Sequence, residues 1–380
     1  MNPGRQPVIA GIGETEYSRE SGRSELQLAA EACLAALRDA GLPAARADGL
    51  VSYTMDSSNE LELQRCLGIP VLRWTGRAPF GGVGCTASIQ VAAAAIAAGY
   101  AEAVLVWRAL NGRSGRRYGT PEASKAVGSG GKLHYAMGFD TGAKSYAAEI
   151  QGYMRRHGVT SEDLGRYVVA ARTLAASNPR AIYYDKPLTL GEHQSSRWIV
   201  EPWIRRHDCC LENDGGAALL VTSAETAGAL GKPAIVLGAA AQAHGIGRRI
   251  AYDVYRTEAE IADEQAALVT ELVRQSGLHP REVDVALLYD AFSPSVFTAL
   301  EEFGICDVGE ARHFINAGET ALGGKMPVNP NGGLIGEAYV HGLNNVIEAV
   351  RQLRGSAANQ VAGAQTALVT GGGALLLTRS

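Results

Sequence analysis

Two stretches of the chain share one order of hydrophobic and polar positions. Residues 29–53 read AAEACLAALRDAGLPAARADGLVSY, and residues 265–289 read QAALVTELVRQSGLHPREVDVALLY. Each stretch predicts an amphipathic helix, a glycine that ends it, a short polar loop and an apolar strand. Gly41 and Gly277 stand at the same point, and the offset of 236 positions between them (277 minus 41) holds through helix, loop and strand. This agreement indicates an internal repeat rather than a chance match.

The pattern outside these stretches extends the repeat to two halves of the chain. Each copy has a strand before it and a glycine pair, a helix and an apolar strand after it: 7–13, Gly81-Gly82, 89–99 and 103–106 in the first half, and 233–238, Gly332-Gly333, a helix to about Leu353 and 367–370 in the second. Halves of βαβ type predict an α/β fold with two similar sheets flanked by helices. We expect the N-terminal half to comprise residues 1–108 and 206–228, and the C-terminal half residues 229–380.

Residues 109–205 interrupt this pattern. They are richer in Arg, Tyr, Gly and Ser, and their periodicity predicts helices only at 144–157 and 161–176. Insertions between regular elements are common places for substrate recognition. We therefore expect an inserted loop region over the mouth of a site.

The composition narrows the class of protein. The chain has 380 residues, of which 46% are hydrophobic and 19% charged, and its formal net charge is −4. These values are typical of a globular protein with room for two cores, and they give no reason to expect nucleic acid or an anionic membrane as a partner. The longest apolar run, 87–107, is broken by Gly99 and Glu102 and predicts a buried helix and strand rather than a membrane span.

The cysteines bear on compartment and metal binding. Six occur without a CxxC pair. This spacing predicts no disulfide framework and favours a reducing, cytoplasmic compartment. His207, Cys209 and Cys210 are packed tightly and lack a matching second pair of ligands, so they do not predict a zinc site. We expect no metal and no cofactor of the chain's own.

Several motifs specify the fold more closely. The chain contains AGIGETEYS at 10–18, GGVGCTAS at 81–88, DCC at 208–210 followed by DGGAA at 214–218, and NPNGGL at 329–334. On these motifs, which extend over nearly the whole length, the chain resembles the thiolase superfamily, in the branch of the sterol-carrier-type thiolases and lipid-transfer-protein aldolases. The resemblance implies a thiolase fold of two similar βαβ-type domains whose central sheets pack in layers, and chains that pair as homodimers.

The resemblance also places the family's catalytic positions on this sequence. The nucleophilic cysteine falls on Gly82, and the cysteine of the C-terminal Cys-x-Gly element falls on Val369. The first residue of the Asn-Glu-Ala-Phe element falls on Tyr289, and the histidine of the Gly-His-Pro element falls on Tyr339. Two tyrosines thus stand where the family has other polar residues, a pattern similar to the steroid side-chain aldolases of this branch.

This combination predicts a retro-aldol cleavage. The reaction needs a general base, a general acid and donors to the enolate oxygen, but no acyl-enzyme. Tyrosine has an ordinary pKa of about 10 and both donates and accepts hydrogen bonds. Our hypothesis is that Tyr289 and Tyr339 share the proton transfers, with the roles of acid and base left open. Backbone N–H groups of Gly82 or Val83, with that of Gly371, are the expected donors to the enolate.

The resemblance implies the substrate class as well. It is a β-hydroxyacyl-CoA, such as the CoA ester of a steroid side chain, which would yield a ketone and a short acyl-CoA such as propionyl-CoA. CoA enters only as part of the substrate. The resemblance further implies a small partner protein with an OB-fold and a zinc ribbon, which helps to bind the acyl-CoA and gives a heterotetramer.

Other residues offer support or a rival chemistry. Asp290 and His341 lie one and two positions after the two tyrosines and are candidates for support of the site. Cys85, three residues after Gly82, is the rival nucleophile and would make the protein a thiolase-type acyltransferase on a β-ketoacyl-CoA. A non-catalytic lipid-binding or scaffold subunit is the other alternative.

An arginine-rich segment, RALNGRSGRRYG, occupies residues 108–119. Such a segment predicts either a solvated loop or a contact surface. If it is a contact surface, Arg113, Arg116 and Arg117 would pair with CoA phosphates or with a partner protein.

Overall fold

The computed structural model describes residues 3–79, 83–115, 117, 119, 136–231, 233–246 and 256–380. Its strands are β1 (Pro7–Glu14), β2 (Gly49–Tyr53), β3 (Trp74–Ala78), β4 (Ala103–Asn111), β5 (Trp198–Val200), β6 (Ile204–Arg205), β7 (Asp214–Ser223), β8 (Ile235–Ala241), β9 (Val285–Leu287), β10 (Thr366–Thr370) and β11 (Ala374–Arg379). Its α-helices are α1 (Glu25–Ala40), α2 (Glu60–Leu67), α3 (Cys85–Ala98), α4 (Gly142–His157), α5 (Ser161–Ala176), α6 (Leu190–Ser195), α7 (Ala224–Leu230), α8 (Glu258–Ser276), α9 (Pro294–Glu302), α10 (Ala311–Asn316) and α11 (Leu343–Arg354).

The predicted repeat is present in the structure. Gly41 ends α1 with a φ of 73°, and Gly277 ends α8 with a φ of 71°. Glycine adopts this left-handed conformation without strain, which is why it ends helices so often. The strands that follow, β2 and β9, begin at Gly49 and Val285, so the offset of 236 (285 minus 49) is kept.

Strand pairing follows the same order in both halves. In the first half β2 is parallel to β4, and β4, β7 and β1 are antiparallel neighbours. In the second half β9 is parallel to β10, and β10, β11 and β8 are antiparallel neighbours. Antiparallel pairing of Val8 with Val236 and of Ile9 with Ile235 joins the halves into one nine-stranded sheet, β3-β2-β4-β7-β1-β8-β11-β10-β9. The repeat alone did not predict that the two expected sheets would be joined at β1 and β8.

Helices cover the strands in layers. The central hydrophobic cluster combines α3 and α11, through residues such as Ile89 and Val346, with strands of both halves. Helices α1 and α2 cover the first half, and α4, α5, α8 and α9 cover the second. Helix α1 lies directly on β1 because Gly11 leaves room: a Cβ there would lie 2.1 Å from the carbonyl oxygen of Ala36.

The periodicity of the other segments is also confirmed. The helices predicted in the insertion are α4 and α5, and the apolar run 87–107 forms most of α3 and the first half of β4. Among the described residues, no helix combines the length and the apolar character that crossing a bilayer requires.

The prediction for the start of the last helix is wrong. The sequence predicts that Tyr339 stands at the start of the helix that follows Gly332-Gly333, but α11 begins only at Leu343. The two glycines have φ values of 102° and 69°, which do not fit a helix. A Cβ on Gly333 would lie 2.1 Å from a carboxylate oxygen of Asp290, so the chain rests directly on that side chain. The segment before α11 is therefore a buried loop, and this loop carries Tyr339.

A group of buried carboxyls lies beside this loop. Glu337 and Glu348 are each 1% exposed. Burial, reinforced by a neighbouring carboxylate in each case, raises the pKa of Glu337 to about 7 and that of Glu348 to about 8. Arg351 compensates part of the charge, since its Nη2 donates to Glu14 Oε1 at 2.6 Å. The folded protein thus holds protons that an unfolded chain releases near pH 4.5.

The raised pKa values of Glu337 and Glu348 predict how the stability of the protein depends on pH. Because the folded state binds more protons than the unfolded state between about pH 5 and 8, the free energy of unfolding should fall as pH rises through this range, by at most about 1.4 kcal/mol per pH unit for each such carboxyl. Glu348→Gln keeps an oxygen for the Gln352 amide and removes one proton. We expect a shallower fall and higher stability than the parent at pH 8, measured by urea unfolding. Glu62→Gln, on the exposed side of α2, is the control; identical slopes for parent and both variants would contradict the account.

Candidate active site

Two tyrosines are the partly exposed positions of otherwise buried segments. Every residue of 285–294 is buried except Tyr289, and every residue of 326–350 is buried except Tyr339. A polar side chain that is partly exposed within a buried segment is accessible from outside the core. The two segments that the sequence analysis singled out thus present their tyrosines to solvent or to a ligand.

The two phenols meet. The Tyr289 Oη and Tyr339 Oη atoms are 2.9 Å apart, so one hydroxyl donates a hydrogen bond to the other. The ring centroids are 6.3 Å apart and the ring planes are inclined at 69°. This edge-to-face arrangement leaves both oxygens at one point. The expectation that these residues come together is confirmed; their catalytic role remains a proposal.

Residues of the C-terminal half fix Tyr289. Its backbone N–H donates to the Thr370 hydroxyl at 2.9 Å. The preceding residue, Leu288, donates its N–H to Asn329 Oδ1 at 2.8 Å and accepts from Asn329 Nδ2 at 3.0 Å. Asn329 has a φ of 47°, an uncommon value outside glycine, which is tolerated only where contacts impose it. The amide of Asn329 therefore takes the place of a neighbouring strand at the end of β9.

Residues of both halves hold Tyr339. Its backbone N–H donates to Asn213 Oδ1 at 2.6 Å. The ring of His341 packs edge-on against the Tyr339 ring, with centroids 4.9 Å apart and planes inclined at 75°. Arg108 on β4 donates from Nε to His341 Nδ1 at 2.9 Å. His341 thus supports Tyr339 from behind, which agrees with its expected place outside the direct chemistry.

The turn before α3 and the loop after β10 are in contact, as the oxyanion prediction requires. The Gly372 N–H donates to the Val83 carbonyl oxygen at 2.6 Å. The Gly371 N–H already donates to the carbonyl oxygen of Gly373 at 2.9 Å. Gly82 lies outside the described residues. Donation by these backbone groups to an enolate therefore stays a prediction.

Cys85 is placed differently from the prediction. The predicted helix spans 89–99 and leaves Cys85 before it, but α3 begins at this residue. The sulfur is enclosed: Cys85 is 0% exposed, and a Cβ on Gly371 or Gly342 would lie 2.8 or 3.0 Å from Sγ. Burial raises the pKa of the thiol to about 12, against the opposing effect of backbone N–H groups at the helix start. A thiolate is disfavoured at this position.

Asp290 supports the site indirectly. Its Oδ2 accepts from the Tyr167 hydroxyl at 2.9 Å, and its Oδ1 accepts from the Leu334 N–H at 2.7 Å. Burial raises the pKa of Asp290 to about 6. The carboxyl therefore ties α5 of the insertion to the two loops that carry Tyr289 and Tyr339.

The arginine-rich segment divides into two parts. The segment predicted a solvated loop or a contact surface. Arg108 instead lies within β4 and is 1% exposed. Arg117 is ion-paired with Glu212, with Nε 2.8 Å from Oε2, and the backbone N–H of Arg113 donates to Asp214 Oδ1 at 3.1 Å. Arg116 lies outside the described residues. Contact of these arginines with CoA or a partner stays a prediction.

Sequence reasoning missed the polar residues that orient the tyrosines. They are Asp56, Arg108, Asn213, Asn329 and Thr370. Arg108 left a signal, since it is a charged residue in the apolar strand AVLVWRALN. Among the described residues, no three His, Cys, Asp or Glu side chains are grouped to hold a metal ion. The expectation that the chain needs no metal stays a prediction.

The chain is similar to known proteins over nearly its whole length. The family model "Thiolase C-terminal domain-like" matches residues 253–380. The chain is 46% identical over 370 residues to a "Steroid side-chain-cleaving aldolase" of Thermomonospora curvata, covering 96% of this chain and 94% of the relative. It is 44% identical over 372 residues to the "17-hydroxy-3-oxo-4-pregnene-20-carboxyl-CoA lyase" of Mycobacterium tuberculosis, covering 97% and 96%.

Solved structures give the same result. The "Ltp2-ChsH2(DUF35) aldolase" matches with a TM-score of 0.92 at 43% identity and covers 99% of this chain and 98% of that chain. Human mitochondrial 3-ketoacyl-CoA thiolase matches with a TM-score of 0.67 at 16% identity and covers 99% of this chain and 100% of that chain. At this identity the match shows the fold alone. The fold is that of a thiolase-type protein. Within that superfamily, the chain belongs to the family of steroid side-chain-cleaving aldolases.

The burial of the Cys85 thiol leads to a prediction that distinguishes an aldolase from a thiolase. Cys85→Ala should leave the rate of carbon–carbon cleavage close to that of the parent, because the thiol is buried and protonated. The lost packing should lower the free energy of unfolding by about 1 kcal/mol. Steady-state turnover and urea unfolding measure the two quantities. Cys33→Ala, another fully buried cysteine on α1, is the matched control; a loss of turnover by orders of magnitude in Cys85→Ala alone would identify the thiol as the nucleophile.

Proposed function

We propose that the protein is a carbon–carbon lyase that cleaves a β-hydroxyacyl-CoA by a retro-aldol reaction. The observation that carries the proposal is the 2.9 Å contact between the hydroxyls of Tyr289 and Tyr339, the two partly exposed groups of buried loops. The proposed substrate is the CoA ester of a steroid side chain. A 17-hydroxy-pregnene-20-carboxyl-CoA ester, the class named for one relative, has its hydroxyl on the carbon β to the thioester. Retro-aldol cleavage of that class would give a 17-ketone and propionyl-CoA.

The proposed reaction is balanced without water or free CoA. One tyrosine, as the phenolate, takes the proton of the substrate hydroxyl. The Cα–Cβ bond breaks, the C–O bond becomes the ketone carbonyl, and the electron pair passes to the thioester enolate. The other tyrosine donates its proton to Cα of the enolate. Because the two phenols share a hydrogen bond, a proton can pass between them and restore the starting state.

The hydrogen bond between the phenols supports the assignment of one tyrosine as the base and the other as the acid. A phenolate that accepts a hydrogen bond from a second phenol is stabilised, which favours ionisation of one member of the pair. Both rings are packed against the hydrophobic cluster of the C-terminal half, where an apolar acyl chain has surface to contact. No thiol is needed in this scheme, consistent with the burial of Cys85.

We also propose that the active assembly contains a partner. The structure with a TM-score of 0.92 is named as an aldolase of two components, one of them a DUF35 protein. A homodimer of this chain with two small OB-fold and zinc-ribbon partners remains the proposed arrangement. Assays are therefore performed with and without a DUF35-type partner.

Removal of either phenolic oxygen tests the function directly. Tyr289→Phe and Tyr339→Phe should each lower kcat by about 10²–10⁴-fold, since each removes one proton-transfer group but keeps the ring. KM and thermal stability should change little. The measurement is ketone formation by mass spectrometry from a 17-hydroxy steroid acyl-CoA, without free CoA.

A matched tyrosine provides the control. Tyr153→Phe removes a hydroxyl that donates to Glu301 at 2.7 Å, away from the pair, and should keep full turnover. Turnover near the parent value in both Tyr289→Phe and Tyr339→Phe would exclude the proposed mechanism. Absence of ketone from the parent with its partner, over a panel of β-hydroxyacyl-CoA esters, would favour the scaffold alternative.

A further inference from the structure

An ion pair between Arg108 and Asp56 is buried beside His341, the residue that packs against Tyr339. Arg108 is 1% exposed and Asp56 is 4% exposed, and Arg108 Nη1 lies 3.0 Å from Asp56 Oδ2. Asp56 also accepts from the N–H groups of Ala109, at 2.9 Å, and Ser58, at 2.8 Å. A buried ion pair costs desolvation and is retained only with such full hydrogen bonding, so it is weak as a source of stability. Its position calls for another role.

The ion pair of Arg108 and Asp56 determines the protonation state of His341. Arg108 Nε donates to His341 Nδ1 at 2.9 Å, and a nitrogen that accepts a hydrogen bond carries no proton. The imidazole is therefore neutral, with its proton on Nε2. Burial, followed by the charge of Arg108, lowers the pKa of His341 well below its ordinary value. Because arginine does not lose its proton, this state holds throughout the working pH range.

His341 is wedged between two tyrosines. Its ring is edge-on to Tyr339 at 4.9 Å, and it stacks on Tyr53 with centroids 6.4 Å apart and planes inclined at 24°. The backbone of His341 has a φ of 51°, a conformation that costs free energy and persists where the surroundings impose it. In the part of the chain that the structure describes, the groups that face the imidazole include Arg108 from β4, Tyr53 from β2 and Tyr339 from its own loop. Asp56 compensates Arg108.

We propose that Arg108 is a positioning residue for Tyr339: held by Asp56, it fixes His341 as the neutral Nε2–H tautomer and so keeps the Tyr339 ring where its hydroxyl meets that of Tyr289. The inference rests on the proposed function, since it assigns Tyr339 a proton transfer. It adds a residue from the N-terminal half to a pair of tyrosines that both belong to the C-terminal half. An imidazolium beside Tyr339 would instead stabilise the phenolate there and disturb the sharing of the proton.

The test removes both charges together. Asp56→Asn/Arg108→Met removes both members of this ion pair, so neither is left buried and charged without the other, which protects folding. His341 then loses its donor and its positive neighbour. We expect kcat to fall by about 10²-fold with a smaller change in KM, as for misplacement of a reacting group. We also expect a new ionisation in the kcat–pH profile, close to the ordinary histidine pKa of about 6.5.

Two further variants separate positioning from loss of structure. Arg256→Met/Glu264→Gln removes another buried ion pair, whose side chains are 3% and 4% exposed, and should leave kcat and its pH profile unchanged. Adding His341→Asn to the Asp56→Asn/Arg108→Met variant removes the titrating ring, and asparagine tolerates the left-handed backbone. The new ionisation should then disappear while kcat stays low. A kcat–pH profile of parent shape in Asp56→Asn/Arg108→Met would overturn the proposal.

A readout without turnover keeps this test independent of the proposed function. Proton–nitrogen NMR of the eight histidines, with His341 identified by its absence in His341→Asn, should show this ring neutral and protonated on Nε2 down to pH 5 in the parent. In Asp56→Asn/Arg108→Met the same ring should titrate near its ordinary pKa. Titration near 6.5 in the parent would overturn the proposal even if the lyase activity is present. Absence of lyase activity with a neutral His341 would instead count against the proposed function alone.

Discussion

The hydrogen bond between Tyr289 and Tyr339 is the interaction on which the site depends, and both halves of the protein determine its length. Tyr289 is held by Thr370 and, through Leu288, by Asn329, all from the C-terminal half. Tyr339 belongs to that half by sequence but is held by groups of both halves: the Asn213 amide of the N-terminal half, and the ring of His341, to which Arg108 of the N-terminal half donates a hydrogen bond. A small shift between the halves would therefore change the distance between the two oxygens. The extensive central cluster and the β1–β8 pairing resist such a shift.

This arrangement explains how one fold accommodates two chemistries. A thiolase-type scaffold presents the start of one helix and the ends of several strands and loops to a common site. In this chain the thiol at the start of α3 is enclosed by Gly342 and Gly371, and burial keeps it protonated. The partly exposed polar groups of the two buried segments are the phenols of Tyr289 and Tyr339. Phenols exchange protons readily but are poor acyl carriers, so the site fits a reaction that needs proton transfer and no covalent acyl group.

The elements were predicted from local pattern, whereas the two tyrosines were singled out by the resemblance of their motifs to a known family. The repeat of α1–β2 and α8–β9 follows from hydrophobic periodicity and from glycine at the helix ends. The predicted start of α11 was wrong because Gly332 and Gly333 lie against Ala175 and Asp290, which are distant in sequence. Arg108 was misplaced for the same reason: its burial makes sense only beside Asp56 and His341, 52 and 233 positions away. Contacts of this range leave little trace in one sequence.

A double-mutant cycle on turnover tests the central claim most directly. The rates of parent, Tyr289→Phe, Tyr339→Phe and the double variant are compared under one set of conditions, with circular dichroism to verify folding. If the two phenols act as one proton-transfer unit, the double variant should be about as slow as the slower single variant, because removal of either oxygen already disables the unit. Losses that multiply in the double variant would show that the two hydroxyls act independently, and would contradict the account.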